Sequence, residues 1–157
     1  MKITADTSFL CALYRKQDNS DRALVYLESV GQPILATRLL LWEFRQSTRF
    51  QAFRHQQNPA NGFSFAEAEL MIEKLGKHLK QGVLALVDRD LSHVLALAER
   101  ISKLRTYEGG HRSFDVLHIA AALELEADAF LSFDGNQNTL AAAEGMQTPL
   151  AVHSVER

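Results

Sequence analysis

The sequence predicts an α/β fold, a three-layer arrangement with a central, mainly parallel sheet of about four or five strands flanked by helices. Three observations predict it. Short apolar runs alternate with amphipathic stretches of helical period along the chain. Strands separated by helices imply a parallel sheet covered on both faces. The chain has 157 residues, 46% hydrophobic and 23% charged, which suits one domain over residues 1–157 with a real core.

The elements follow in order. Lys2 to Ala5 is a first strand. Phe9, Leu10, Leu13 and Tyr14 recur at helical spacing, so a helix runs from about Thr7 to Lys16. The polar break Asp18-Asn19-Ser20-Asp21 starts a second helix, whose stripe of Ala23, Leu24, Tyr26, Leu27 and Val30 ends at Gly31. Pro33 to Ala36 is a second strand, and a longer helix runs from about Arg38 to His55. Gln56 to Gly62 forms a loop rich in Asn, Pro and Gly. Ser64 and Glu67 stand three apart, the spacing of a capping box that opens the next helix. Val83 to Val87 is an apolar run expected as a buried strand, and a helix from about Leu91 to Leu104 follows. Thr106 to Arg112, with Gly109-Gly110, is expected as a flexible loop. Ser113 is expected to cap the helix that carries Asp115. Ala129 to Phe133 is another strand. Asn136 to Glu144 is a short helix ended by Gly145, and Leu150 to Val155 is expected as a last edge strand.

Composition excludes several classes. No apolar run reaches the roughly 18 residues a membrane-spanning helix needs. Met1-Lys2 leads straight into a strand, with no secretory hydrophobic region. One cysteine, Cys11, excludes an internal disulfide and a cysteine-based metal site, and its apolar helical setting marks it as a small core residue. These features point to the cytoplasm. The 17 basic and 19 acidic residues give no electrostatic footprint of a nucleic-acid binder. Setting aside four acids as metal-bound would reverse the sign of that balance, so it neither supports nor excludes such a substrate.

Those four acids are the most informative residues. Asp6 ends the run Ile3-Thr4-Ala5, and Asp134 ends Ala129 to Phe133. Glu43 interrupts Leu39-Leu40-Leu41-Trp42-Glu43-Phe44. Asp115 opens the apolar helix Val116 to Leu123. Carboxylates on core elements are rare because desolvating an unpaired charge is costly. In open α/β sheets ligands bind beyond the carboxyl ends of the strands, where Asp6 and Asp134 stand. Asp115 lies in a first helical turn, where the dipole favours negative charge. Glu43 shares a helix face with Leu39 and Phe50, which points it toward the core side. Clustered carboxylates repel one another, and a divalent cation removes that conflict. All-oxygen donors favour Mg²⁺ or Mn²⁺ over Zn²⁺, and such a site suits attack of water on a phosphodiester. Taken singly, each acid has an ordinary explanation: Asp6 as a helix cap, Asp134-Gly135 as a turn pair. Glu43 is hardest to explain in that way.

Four segments resemble the PIN-domain nucleases in order and spacing across nearly the whole chain. They are Ile3 to Leu10, Leu41-Trp42-Glu43-Phe44, Arg112 to Ala122, and Phe130-Leu131-Ser132-Phe133-Asp134. Ser132 stands where that family often has Thr, and the hydroxyl is retained. The resemblance implies a PIN-like fold and metal-dependent ribonuclease activity. It places Asp6, Glu43, Asp115 and Asp134 in one acidic pocket, with Ser8 as a supporting polar residue. A chain of this size looks most like the toxin half of a bacterial toxin–antitoxin pair of the VapC type. That implies an RNA substrate, an antitoxin partner and a homodimer. Within the pocket, Asp6, Asp115 and Asp134 are the expected metal ligands, with Glu43 a ligand or an orienting base.

Other residues carry two readings each. Arg112, in the Gly-rich loop, either clamps a substrate phosphate or pairs with a site carboxylate. His118, one turn after Asp115, is expected as a buried, hydrogen-bonded histidine in preference to a metal ligand. Arg38, Arg45 and Arg49 share a helix face that is either solvated or in contact with RNA backbone or an acidic partner. Trp42, Phe50 and Phe53 are expected to pack the core or a dimer surface. Two competing functions remain: a catalytically quiet binding module of the same fold, and a phosphatase or phosphoacceptor with Asp6 as nucleophile. The second lacks the acid two residues after Asp6 that one such pattern requires.

Overall fold

The computed structural model describes residues 1–152. Its centre is a four-stranded, all-parallel sheet built from β1 (Ile3–Ala5), β2 (Ile34–Ala36), β3 (Leu84–Leu86) and β4 (Ala129–Leu131), in the order β3-β2-β1-β4. Thr4 pairs with Leu35 on one side and with Phe130 on the other. The chain winds from β1 outward to β3, then crosses back to add β4 on the far side of β1. The carboxyl ends of β1 and β4 therefore flank a topological switch point, where open α/β sheets form a crevice.

Helices cover both faces. α1 (Thr7–Tyr14), α2 (Ser20–Val30), α3 (Arg38–Gln57) and α4 (Phe65–Gln81) enclose one core around Phe9, Leu10, Phe44, Met71 and Leu75. α5 (Leu91–Ile101), α7 (Ser113–Glu124) and α8 (Gly135–Ala143) enclose the other around Val94, Ile101, Ile119 and Leu140; the short α6 (Tyr107–Gly109) precedes α7. β4 shows why its apolar run is continuous: Ala129 and Leu131 face the first core and Phe130 the second.

Local chemistry sets several boundaries. Gly31 ends α2 in the left-handed conformation. The capping box opens α4 as expected: Ser64 accepts from the Glu67 amide, and the Glu67 carboxylate accepts from the Ser64 amide. α3 reaches Gln57, so the loop before α4 is shorter than its composition predicts.

Six expectations are corrected. β3 is an edge strand, not a buried one, and Leu86 is exposed. Periodicity cannot separate an edge from a centre when both strands are apolar. Most of the segment expected as a loop before Arg112 is helical: a π-helical turn, Ser102–Thr106, runs into α6. Ser113 is the first residue of α7 and not its cap; Arg112 holds the cap position and makes no side-chain capping bond. The inward stripe of α3 is Leu40, Leu41, Phe44, Thr48 and Ala52, so Glu43 sits half-buried at its edge, and Phe50 is exposed. Trp42 and Phe53 are exposed as well, so neither packs the core of the chain. The expected edge strand Leu150 to Val155 is not seen at residues 150–152, and the rest lies outside the described residues.

Gly62 is required where the chain turns from α3 toward α4. Its φ is +59°, and a Cβ there would overlap the Gln51 carbonyl oxygen. Gly62→Ala is expected to destabilise the protein by at least about 1–3 kcal/mol, read by urea denaturation.

Candidate functional site

The site is built on the ends of β1 and β4. Asp6 is the residue after β1 and the N-cap of α1: its Oδ1 accepts from the Phe9 amide at 3.2 Å. Its own amide extends the ladder by donating to the Leu131 carbonyl of β4 at 3.1 Å. Two serines complete its surroundings. The Ser8 hydroxyl donates to Oδ1 at 2.6 Å, and the Ser132 hydroxyl donates to Oδ2 at 2.5 Å. Each serine oxygen also accepts a backbone amide from the turn after β4. Phe133 N–H donates to Ser8 Oγ at 2.9 Å, and Asp134 N–H donates to Ser132 Oγ at 3.0 Å. The resulting lattice bolts the two strand ends together.

Asp134 caps α8, accepting from the amides of Asn136 at 2.8 Å and Gln137 at 3.1 Å with the same oxygen, Oδ1. Gln137, almost fully buried, reaches across to α7, where its Nε2 donates to the Asp115 carbonyl at 3.1 Å. Asn138 ties in from the same helix, donating to the Ser132 carbonyl at 3.0 Å. Asp115 itself accepts from Arg112 Nε at 3.3 Å, an i,i+3 pair whose arginine side chain is 82% exposed. Glu43 joins from α3 through His118 of α7, whose buried Nε2 meets Glu43 Oε2.

The structure therefore links all the sequence-predicted residues, but not in one shell. Asp6, Ser8 and Asp134 share a direct lattice through Ser132. Asp115 attaches through Gln137, Glu43 attaches through His118, and Arg112 is outermost. His118 is the buried, hydrogen-bonded histidine its position predicts. Gln137 and Asn138 were not foreseen; the only signal is three successive amides, Asn136-Gln137-Asn138, directly after a strand-end acid. Ser132 read as a retained hydroxyl, but its double role needs the neighbouring strand.

Electrostatics follow from burial. Asp6 is 5% exposed, and desolvation raises its carboxyl above the ordinary range despite the opposing hydrogen bonds from Ser132, Ser8 and Phe9 and the nearby His118. Burial first, and then the negative Asp6 and Glu43, push the Cys11 thiol up to about 11. Both carboxylates thus bear on Cys11, which is half-buried against the first core.

The donor set, carboxylates and hydroxyls around a desolvated acid, is chemically that of a hard divalent cation. The side chains are not closed into a chelate: among the described residues, no group of three or more His, Cys, Asp or Glu stands together in a metal-holding arrangement.

A parallel α/β sheet with acids gathered at its switch point defines a class of proteins whose sites sit at strand ends. The PIN domain model matches residues 3–143, and the chain belongs to that family. Two solved structures are similar in fold. One is FitAcB from Neisseria gonorrhoeae, with a TM-score of 0.59, 15% identity, and 93% of this chain and 95% of that chain covered. The other is the VapC20 toxin of Mycobacterium tuberculosis, described as cleaving the sarcin-ricin loop, with a TM-score of 0.59, 14% identity, and 93% and 97% covered. No curated protein matches the chain in sequence. No described helix is long and apolar enough to cross a membrane.

Because the folded-state pKa of Asp6 is raised, its protonation favours the folded state. Its destabilising effect is absent below the unfolded value and grows as pH rises through the folded one. Asp6→Asn is therefore expected to be more stable than wild type in EDTA at about pH 7, with the gain shrinking toward about pH 4. Urea denaturation at the two pH values checks this.

Proposed function

We propose that the protein is a divalent-metal-dependent endoribonuclease, the toxin component of a toxin–antitoxin pair. The observation that carries this is the buried, hydroxyl-held Asp6 at the β1–β4 switch point of a PIN-family fold, its carboxylate hydrogen-bonded to no lysine or arginine among the described residues. Family membership supports nuclease chemistry, and the fold likeness to a toxin described as cleaving the sarcin-ricin loop supports RNA as substrate.

Asp6, Asp115 and Asp134 are the residues that would hold Mg²⁺ or Mn²⁺, with Glu43 completing the acidic pocket. When bound, such an ion supplies a lowered pKa for water and neutralises charge on the phosphate. The chain's own residues do the rest. Ser8 and Ser132 fix the Asp6 carboxylate, and Asp134 keeps Oδ2 outside its capping bonds. The Arg112–Asp115 pair is no obstacle to recruiting Asp115. An exposed i,i+3 pair is worth at most about 1 kcal/mol, far less than a desolvated carboxylate gains from a divalent partner. Arg112 is then free to clamp a substrate phosphate. The exposed, stacked Phe50 and Phe53 on α3 supply apolar area for an antitoxin or a second copy of the chain. The proposed setting is the cytoplasm.

One observation favours a second reading, a catalytically quiet binding module: among the described residues the carboxylates are not closed into a chelate. Binding of RNA with no cleavage of any RNA tested in Mn²⁺ would support that module and defeat the nuclease.

Asp6→Asn and Asp115→Asn are each expected to lower RNA cleavage by more than about 100-fold with folding retained by circular dichroism; loss of an outer-shell partner alone costs about 10- to 100-fold. Excess EDTA abolishes wild-type cleavage, and Mn²⁺ restores it; full activity in EDTA sinks the proposal. Arg112→Ala is expected to raise KM by about 5- to 30-fold, the loss of one charge-assisted hydrogen bond, with a smaller change in kcat.

A further inference from the structure

His118 is the one basic side chain buried inside the carboxylate cluster among the described residues. It is 4% exposed, its ring packs against Phe114 at 6.1 Å between centroids, and its Nε2 meets Glu43 Oε2. A carboxylate in its ionised form only accepts hydrogen bonds, so in the arrangement proposed here His118 is the donor, through Nε2. The contact joins the two helices that bring Glu43 and Asp115 to the site: Glu43 lies on α3, while His118 is three residues past Asp115 on α7.

The consequence concerns Glu43. It stands half-buried at the edge of the inward stripe of α3. Its one hydrogen-bonded side-chain partner among the described residues is His118. That bond commits Oε2 and leaves Oε1 as the oxygen presented to the pocket. A carboxylate pinned through one oxygen to a buried ring has little freedom to swing into a shared chelate. We propose that His118 is a positioning residue that fixes Glu43 as a hydrogen-bond acceptor for the attacking water and keeps it out of the metal-ligand set.

This rests on the nuclease reading and assigns within it the role of Glu43. The chemistry requires the Nε2 donor, so side chains that place an N–H at that reach should substitute. Glutamine carries an amide at a similar distance from the backbone, whereas leucine fills the volume with no donor.

The experiment compares wild type, His118→Gln, His118→Leu and Glu43→Gln for RNA cleavage, for Mn²⁺ affinity by calorimetry in the absence of RNA, and for Tm. Expected is a fall in kcat of at least about 10-fold for His118→Leu, with KM and Mn²⁺ affinity within about 2-fold of wild type. His118→Gln recovers most of that loss, and Glu43→Gln repeats the leucine result. Three results overturn the proposal: wild-type kcat in His118→Leu, a loss of Mn²⁺ affinity in Glu43→Gln as large as its loss of kcat, or a glutamine variant no better than leucine at equal Tm. Should His118→Leu fail to fold, Glu43→Gln decides by its loss of Mn²⁺ affinity against its loss of kcat, and a His118→Gln kcat as low as that of Glu43→Gln overturns the proposal. A wild-type protein that binds Mn²⁺ and cleaves no RNA defeats the nuclease reading itself, and with it this assignment.

Discussion

The carboxylate of Asp6, buried between β1 and β4, is the constraint on which the rest of the site depends. Each strand here has only three residues, so the ladder between them contains few backbone bonds. The side-chain lattice of Asp6, Ser8 and Ser132 continues that pairing past the last strand residue and closes the carboxyl end of the sheet. Hydrogen bonds to a charged group are worth about 1.5–3 kcal/mol each, which offsets part of the cost of burying the charge. It does not offset all of it, as the raised carboxyl of Asp6 shows. A buried carboxyl perturbed by desolvation at a strand-end crevice is the kind of group that the proposed metal site would use.

The surrounding helices serve this arrangement in distinct ways. α1 and α8 begin at Asp6 and Asp134, and their first amides hold those carboxylates in place. α7 delivers Asp115 and His118, while α3 delivers Glu43, whose carboxylate meets His118. The far end of α8 is secured separately. Glu144, nearly buried, accepts from Arg100 at 2.9 Å and from Arg105 at 3.2 Å, and Arg105 also donates to the Ala143 carbonyl at 3.1 Å. Arg105 belongs to the π-helical turn, whose wider winding re-aims side chains relative to a continuous helix. The cap of α8 that carries Asp134 is thus anchored at one end by the sheet and at the other by α5 and its continuation.

Much of this was legible in the residues, and the failures have physical causes. Continuous apolar runs identified β1, β2 and β4 because a strand covered on both faces needs apolar residues at every position. The same rule misplaced β3, since an edge strand in a parallel sheet can be equally apolar. Ser113 carries a good capping side chain, yet the helix begins one residue earlier in phase. Glu43 was expected on the core face from its spacing to Leu39 and Phe50, but the inward stripe of α3 lies about 100° away, through Leu40, Leu41 and Phe44. Of the two expectations for Trp42, Phe50 and Phe53, packing in the core fails, since all three are exposed on the described chain, and the dimer surface stays open.

The sequence by itself determined the class of fold, the order of its elements and the four acids that end or interrupt apolar segments. Apolar periodicity and the cost of burying charge are local properties, readable along one dimension. Only the tertiary structure decided which strands are neighbours, and therefore that Ser8 and Ser132, 124 positions apart, hold one carboxylate from both sides. It also decided that Glu43 answers to His118, 75 positions away, and that Asp115 pairs with Arg112 instead of joining a closed shell. Hydrogen bonds of this kind need donors and acceptors brought within about 3 Å. That distance is set by the crossover from β3 back to β4, which no local pattern encodes.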